Sequence, residues 1–210
     1  MIARLGETRP SPFRSREERD LERIEKREAV LKAAVEMFNA RGFHATSLDD
    51  LAASLGISKP TIYHYLGNKD QVLLECLTRG LMQLRAAAEE AQTLPGTGLD
   101  RLRAFLRSYA DVNMRDFGKS VIRTGEEALA PESAERLREM KREIDAALRN
   151  LVRAGIEDKS IAAGDVTMIA FTLAGALNWP GRWYNPAKGR SISDVAEAMV
   201  DILTAGLAPR

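Results

Sequence analysis

The chain has 210 residues, of which 45% are hydrophobic, and its formal net charge at pH 7 is +1. A chain of this length can bury a sizeable core in one or two domains, and its near-neutral charge argues against a protein that coats nucleic acid nonspecifically. The single cysteine excludes an intrachain disulfide. With no signal peptide and no apolar run of transmembrane length, the sequence predicts a soluble, cytoplasmic protein.

The N-terminal residues 1–20 are rich in Arg, Pro and Ser and show little hydrophobic periodicity, which predicts a flexible tail. Two interpretations of its arginines stay open: a solvated terminus, or an arm that enters a DNA minor groove. From Leu21 to Arg41, apolar residues recur at helical spacing, and Gly42 ends the predicted helix.

The segment from Ser47 to Lys69 contains two short helical patterns joined by a glycine-centred turn. Ser47 is a good N-cap, and Asp50 three residues later predicts a capping-box-like start. Gly56 suits the left-handed position that ends the first helix, and Pro60 is tolerated in the first turn of the second. Two helices in this order form a helix-turn-helix, whose second helix enters the DNA major groove.

On the second helix, Ile62 and Leu66 face the core at a spacing of four residues. The outward side carries a cation, a hydroxyl and two rings with polar tips, which are groups that reach phosphates and base edges. Lys69 opens the next helix and is a natural phosphate site. The outward residues are Lys59, Thr61, Tyr63 and His64, with Tyr65 on the flank.

These residues resemble the TetR family of one-component bacterial transcriptional repressors. The match runs from residues 33–43, through Thr46 and Ser47, to the TIYHYLGNK segment of residues 61–69, about a quarter of the chain. Asp49 departs from the family, since some members place a basic residue there for base contacts, whereas an aspartate could read only a cytosine amino group or face away. The resemblance implies DNA contacts from Ser47, Asp49, Lys59, Pro60, Thr61, Tyr63, Tyr65 and Lys69.

Helical spacing continues through the rest of the chain, and no alternating strand pattern persists between turn signals. The sequence therefore predicts an all-α protein of about nine helices, with a helix-turn-helix domain over residues 21–68 and a C-terminal ligand-binding and dimerisation bundle over residues 69–210. Beyond the helix-turn-helix, the predicted helices span about 69–92, 99–112, a shorter and less regular segment at 117–129, then 131–156, 166–179 and 193–207.

Several apparent catalytic or metal motifs do not hold. The sequence at 118–120 looks like the end of a phosphate-binding loop, but Asn113 stands where the leading glycine is required. His44 and His64 have no Cys or His partner at metal-ligand spacing, and Cys76 lies in an apolar helical patch as an inert thiol. No nucleophile, base and orienting group occur together, so we expect neither an enzyme nor a bound cofactor or metal.

The middle helices supply enough apolar side chains to line a ligand cavity, although such stripes are more often core. Arg115, Lys119 and Arg123 recur every four residues and would form a cationic row suited to an amphipathic anion. Residues 178–189 resemble the C-terminal signature of TetR regulators tied to lipid, aromatic-acid or steroid breakdown, which implies an acyl-CoA or related carboxylic effector. The predicted ligand residues are Phe105, Tyr109, Met114, Phe117, Arg123, Met140, Ile144, Trp179 and Trp183.

Two C-terminal helices, 166–179 and 193–207, are apolar over more of their circumference than a surface helix of a monomer should be. Packing the pair against its two-fold copy gives a four-helix interface, as the family resemblance also implies. The alternative is that both helices are merely core. The predicted dimer residues are Ala170, Ala174, Met199, Val200 and Leu203.

Together these patterns predict a ligand-responsive repressor that binds a pseudo-palindromic operator in double-stranded DNA as a homodimer and is released by a small hydrophobic or acyl-CoA-like effector. The alternative is a DNA-binding regulator whose C-terminal bundle serves only assembly or a protein partner, without a small-molecule pocket. Activation instead of repression cannot be judged from the sequence, because the position of the operator decides it.

Overall fold

The computed structural model describes residues 16–208, and within that range the chain contains helices and loops but no β-strand. The N-terminal part consists of α1 (Arg16–Arg41), α2 (Leu48–Leu55) and α3 (Lys59–Leu66). The long helix α4 (Lys69–Thr93) begins two residues after α3 has ended at its glycine cap. The predicted all-α class and the helix-turn-helix are confirmed.

The remaining helices form the C-terminal part of the molecule. Nine helices of the described range contain eight or more residues, and the short helix Pro180–Trp183 adds a single turn. This agrees with the prediction of about nine helices. These elements are α5 (Gly98–Met114), α6 (Asp116–Arg123), α7 (Pro131–Glu157), α8 (Val166–Asn178), α9 (Pro180–Trp183) and α10 (Ile192–Ala205), with 3-10 turns at Glu126–Ala128 and Pro186–Lys188.

The first helix differs from its predicted extent, because it begins at Arg16 and not at Leu21. Its first two turns are mostly exposed, so there is no apolar periodicity to read. Local charge stabilises them instead: acidic residues occupy the first turn, and Lys26 pairs with Glu22 across one helical turn at 2.6 Å. The rest of the predicted tail, residues 1–15, lies outside the described residues.

A small apolar core holds α1, α2 and α3 together. Leu31, Val35, Leu51 and Ile62 are fully buried and belong to one cluster. The predicted capping box is present, since the Asp50 amide donates to Ser47 Oγ at 3.0 Å and the Ser47 amide donates to Asp50 Oδ2 at 3.0 Å. Gly56 has a φ of 64°, the left-handed conformation expected there. These local signals fix the residues at which α2 begins and ends.

Helix α4 joins this N-terminal head, defined as α1–α3, to the C-terminal bundle of α5–α10. It packs against α1 on one side and against α5, α6 and α7 on others. Cys76 lies at the α1 contact, where burial raises the pKa of its thiol to about 12. No helix between residues 16 and 208 is long and apolar enough to cross a bilayer.

The start of α6 is held unusually close to its neighbours, and two glycines permit this. A Cβ at Gly80 of α4 would lie 2.7 Å from the Phe117 carbonyl oxygen, and a Cβ at Gly118 would lie 2.0 Å from the Val112 carbonyl oxygen of α5. The segment that the sequence predicts as short and irregular is therefore a tightly packed helix followed by a 3-10 turn.

Because the Gly118 contact is with backbone, Gly118→Ala should lower the free energy of unfolding by about 1–3 kcal/mol through overpacking. Urea denaturation of the two proteins measures this loss. Gly206→Ala is the control, since Gly206 has a φ of −90° and no heavy atom near its Cβ position. Equal stability of the two variants would show that α6 shifts freely and that the close packing imposes no constraint.

Candidate nucleic-acid interface and ligand cavity

The exposed side of α3 carries the residues that the sequence placed there. Ile62 and Leu66 are buried against the head, whereas Tyr63 and His64 are exposed. Tyr65 is partly buried against the core, and its ring meets the His64 ring edge-on at 5.2 Å between centroids. Tyr65 therefore supports the helix as well as flanking its outer side.

The start of α3 presents a hydroxyl pair. Thr61 Oγ1 lies 2.9 Å from Ser58 Oγ, and Pro60 next to it is exposed. Ser58 occupies the N-cap position without a side-chain bond to the helix amides. Ser47 is different, because its hydroxyl hydrogen-bonds the Asp50 carboxylate at 2.7 Å within the capping box. That bond lowers the pKa of Asp50.

Asp49 forms an ion pair within the helix-turn-helix. Its Oδ2 accepts a hydrogen bond from Lys59 Nζ at 2.7 Å, so the first residue of α3 is paired with the second residue of α2. The hydrogen bond to Asp49 raises the pKa of Lys59. Sequence reasoning treats the two residues separately, and only the angle between α2 and α3 brings them together.

Lys69 lies at the start of α4, where Asn68 and Gln71 form a second capping box. Its ammonium group lies 4.2 Å from the centroid of the Phe43 ring, within cation–π distance. Partial burial lowers the pKa of Lys69. The aromatic contact thus holds the ammonium group beside the helix-turn-helix.

The C-terminal bundle encloses a cavity of about 530 Å³ between α4, α5, α6, α7, α8 and α9. Three of the predicted ligand residues, Tyr109, Ile144 and Trp179, line it. Its other lining residues are Leu81, Leu84, Asn113, Val121, Ile122, Lys141, Asp145, Leu148, Ala174, Gly175, Asn178 and Arg182.

A hydrogen-bonded group of three side chains forms the polar part of the cavity wall. Asn178 Oδ1 accepts from the Tyr109 hydroxyl at 2.8 Å and from Asn113 Nδ2 at 3.0 Å. Asn113 also donates to the Leu177 carbonyl at 3.3 Å, while its buried Oδ1 has no partner in the structure. Burial raises the pKa of Tyr109. Asn113 was missed as a site residue, although a polar residue one turn after Tyr109 on an apolar face was a usable signal.

The other predicted ligand residues do not line this cavity. Phe105 and Met114 are buried in the core, and Phe117 lies against Arg79, 5.5 Å from the guanidinium carbon to the ring centroid. Met140 is partly buried and Trp183 is half exposed outside the cavity. A helical stripe of apolar residues does not distinguish core residues from cavity-lining residues, because residues of both kinds are apolar and face inward.

The predicted cationic row also lies outside the cavity. Arg115 pairs with Asp111 at 2.5 Å, and Lys119 Nζ lies 5.5 Å from the Tyr184 ring centroid. Arg123 donates to three backbone carbonyls: Gly181 at 2.9 Å, Arg182 at 3.1 Å and Asn39 at 3.1 Å. Cations do reach the cavity, but from other helices, since Lys141 and Arg182 line it together with the acidic Asp145.

Large apolar side chains are exposed on α8, at its C-cap and on α10, and we call these four side chains together the exposed stripe. Met168 and Phe171 lie on α8, Trp179 is its C-cap residue, and Ile202 on α10 is 76% exposed. Of the predicted dimer residues, Ala170 and Val200 are fully buried within the chain. The other three, Ala174, Met199 and Leu203, are partly buried beside the stripe.

Comparison with known proteins gives two family matches that cover different parts of the chain. The family described as bacterial regulatory proteins, tetR family, matches residues 30–76. The family described as tetracyclin repressor-like, C-terminal domain, matches residues 95–207. The first covers the helix-turn-helix and the second covers the bundle with its cavity.

Individual proteins agree with the family matches. The HTH-type transcriptional activator FasR of Mycolicibacterium smegmatis is 28% identical over 179 residues, covering 84% of this chain and 81% of FasR. The structure of the TetR family regulator PfmR from Thermus thermophilus is 30% identical with a TM-score of 0.78, covering 86% of this chain and 99% of PfmR.

The structure of AibR in complex with isovaleryl coenzyme A and operator DNA shares the fold, with a TM-score of 0.74 at 23% identity, over 84% of this chain and 96% of AibR. The matched proteins are transcriptional regulators, not enzymes. On the strength of its helix-turn-helix, its helical bundle and these matches, the chain belongs to the TetR family of DNA-binding transcriptional regulators.

Proposed function

We propose that the protein is a homodimeric repressor that releases its operator when an apolar carboxylic metabolite or acyl-CoA enters the bundle. The observation that carries this proposal is the 530 Å³ cavity, which has the size of a small-molecule site. Helix α4 contributes Leu81 and Leu84, near its middle, to the cavity wall, and its first residue is Lys69 beside the helix-turn-helix. One rigid helix therefore touches both sites.

Hydrogen bonds of Arg123 support a route from the cavity to the head. The guanidinium group binds the carbonyls of Gly181 and Arg182 in α9, next to the cavity wall, and the carbonyl of Asn39 near the end of α1. Asn39 in turn donates to the Asp116 carbonyl at the start of α6 at 2.8 Å. An effector that displaces α9 must then stretch bonds to the last turn of α1.

A second connection joins the start of α4 to α7. Asp70 accepts from the Ala130 amide and from the Ser133 hydroxyl, both at 2.7 Å. Helix α7 supplies Lys141 and Ile144 to the cavity wall. A shift of α7 on effector binding would move the N-terminus of α4 beside Lys69. Because an operator accepts only one separation of two recognition helices, a small shift is enough to abolish binding.

The chemistry of the cavity favours an amphipathic effector that carries a carbonyl and an anionic group. Its wall is mainly apolar, and Lys141 and Arg182 outnumber Asp145. The Nδ2 group of Asn178 can donate a hydrogen bond to a carbonyl, and the unpartnered Oδ1 of Asn113 can accept one from an O–H or N–H of the effector. Lys141 is already paired with Glu126 at 2.9 Å, so Arg182 is the cation better placed to meet an anion. The isovaleryl coenzyme A bound in AibR supports the same class of effector.

The exposed stripe on α8 and α10 supports the homodimer. The four side chains are between 52% and 76% exposed, and large apolar groups open to water are typical of a surface that a partner covers. Two copies of α8 and α10 related by a two-fold axis would bury all of them. Trp179 belongs both to this stripe and to the cavity wall, so the dimer would also cover the mouth of the cavity.

The alternative, a regulator whose bundle serves only assembly, has no use for the polar group of Tyr109, Asn113 and Asn178 at a cavity wall.

Whether the protein represses or activates is a separate question, because FasR is named an activator. A reporter fused to the promoter that contains the selected binding site should be expressed more strongly when the protein is deleted, as a repressor requires; weaker expression would make it an activator.

The double variant Phe171→Asp, Ile202→Asp should be monomeric by analytical ultracentrifugation, because charges on the stripe cannot be buried unpaired. The matched control is Met82→Asp, an equally exposed apolar side chain on α4 away from the stripe, which should stay dimeric. A dimeric double variant would move the interface to another surface.

Calorimetry with acyl-CoA thioesters, their free acids and cationic dyes should show binding by the first two classes and none by the dyes. Arg182→Gln should weaken binding of the anionic compounds by roughly tenfold, the value of one charge-assisted hydrogen bond. If only the dyes bind, the effector is a cation and not an anion. If none of the compounds binds, the alternative without a small-molecule pocket is favoured.

The same titration on Arg123→Met separates binding from release. Arg123 lies outside the cavity, so the variant should bind the effector normally but need a higher effector concentration to leave the operator. Normal release would exclude Arg123 from the coupling route.

Lys69→Ala should weaken binding to all DNA sequences alike and lower the slope of log K against log salt by roughly 1 per head, since one phosphate contact is lost. Binding titrations at several salt concentrations measure the slope. Lys32→Ala, an exposed lysine on α1, is the control and should leave it unchanged. An unaltered slope for Lys69→Ala would remove its phosphate role.

A further inference from the structure

In the proposed operator binding, on which the inference rests, the ion pair between Asp49 and Lys59 lies on the surface that meets DNA. Lys59 is the first residue of α3, and the N-terminal residues of the second helix of a helix-turn-helix contact base edges. Asp49 Oδ2 lies 2.7 Å from Lys59 Nζ, so the carboxylate stands within one side chain's reach of those edges. Both side chains are open to solvent, with 68% of Asp49 and 42% of Lys59 exposed.

A carboxylate at this place opposes general DNA affinity. The segment of residues 21–70, which covers most of the head and the start of α4, carries seven cationic and seven acidic side chains and so has no net charge. Non-specific binding depends on free cations that displace counterions from phosphates. With its ammonium group paired with Asp49, Lys59 adds no net positive charge to the surface, because the two charges of the pair cancel.

We infer that Asp49 is a specificity-determining residue that acts with Lys59 as one unit. On DNA of arbitrary sequence the pair stays closed and lowers affinity. On the operator, Asp49 accepts a hydrogen bond from a cytosine amino group, and Lys59 turns to the O6 and N7 acceptors of a neighbouring guanine.

The major-groove chemistry of the bases supports this assignment. Cytosine is the base that offers an amino donor without an acceptor beside it on the same edge, which suits a carboxylate, and guanine offers two acceptors, which suit an ammonium group. An ion pair can exchange its internal hydrogen bond for these two only where the cytosine amino group and the guanine acceptors both lie within its reach, in one C·G base pair or in neighbouring pairs. The pair therefore favours a step that contains cytosine and guanine and disfavours other sequences.

The test compares Asp49→Ala, Asp49→Asn and wild type on two duplexes: the one that wild type selects from a random-sequence library, and a scrambled duplex of equal length. Asp49→Ala should bind the scrambled duplex more tightly, on the order of fivefold per head near physiological salt, because Lys59 becomes free to release about one counterion. It should bind the selected duplex no more tightly than wild type. Asp49→Ala combined with Lys59→Ala should lose the gain.

Selection with Asp49→Asn gives a second readout that does not depend on affinity. Because asparagine pairs with the N6 and N7 edge of adenine, the cytosine in the selected consensus should change to adenine. Glu36→Ala removes the same charge from an exposed site on α1 and should change neither the consensus nor the ratio of the two affinities. An unchanged consensus for Asp49→Asn, or equal tightening on both duplexes by Asp49→Ala, would overturn the inference.

Discussion

The burial of α4 on more than one side is the constraint on which the rest of the structure depends. Helix α4 packs against α1 in the head and against α5, α6 and α7 in the bundle, so neither half can move without displacing it. Interiors packed this closely change arrangement in discrete steps and do not deform continuously. The glycine contacts of α6 with α4 and α5 make the same point locally, because Gly80 and Gly118 leave no room for an intermediate position.

Polar contacts link the helices of the head to the helices that surround the cavity. Arg123 joins α6 to α9 and to α1, and Asp70 joins α4 to the start of α7. Arg123 binds three main-chain carbonyls, and Asp70 binds a main-chain amide and the Ser133 hydroxyl. Main-chain groups move with their helices and cannot adjust by changing rotamer. In the proposed mechanism, a change at the cavity wall is therefore transmitted as a movement of whole helices toward the DNA-facing surface.

In the proposed function, the N-terminal segment of residues 21–70 would bind a polyanion although it carries no net charge. Its cations are placed individually: Lys69 is held beside Phe43, and Lys59 is held by Asp49. Affinity that rests on few contacts is sensitive to each of them, so local geometry matters more than the charge of the domain. The doubling of these contacts in the proposed homodimer would supply the remaining affinity.

The sequence by itself determined the all-α class, the helix-turn-helix and its caps, because these depend on local signals: helical spacing, Ser47 with Asp50, and the left-handed glycine at position 56. It also indicated Tyr109, Ile144 and Trp179, which line the cavity. Only the tertiary structure decided which other inward side chains line a void and which fill the core, and which charges meet, as Asp49 and Lys59 do. Those outcomes depend on the angles between helices, and helix angles arise from packing among residues distant in sequence.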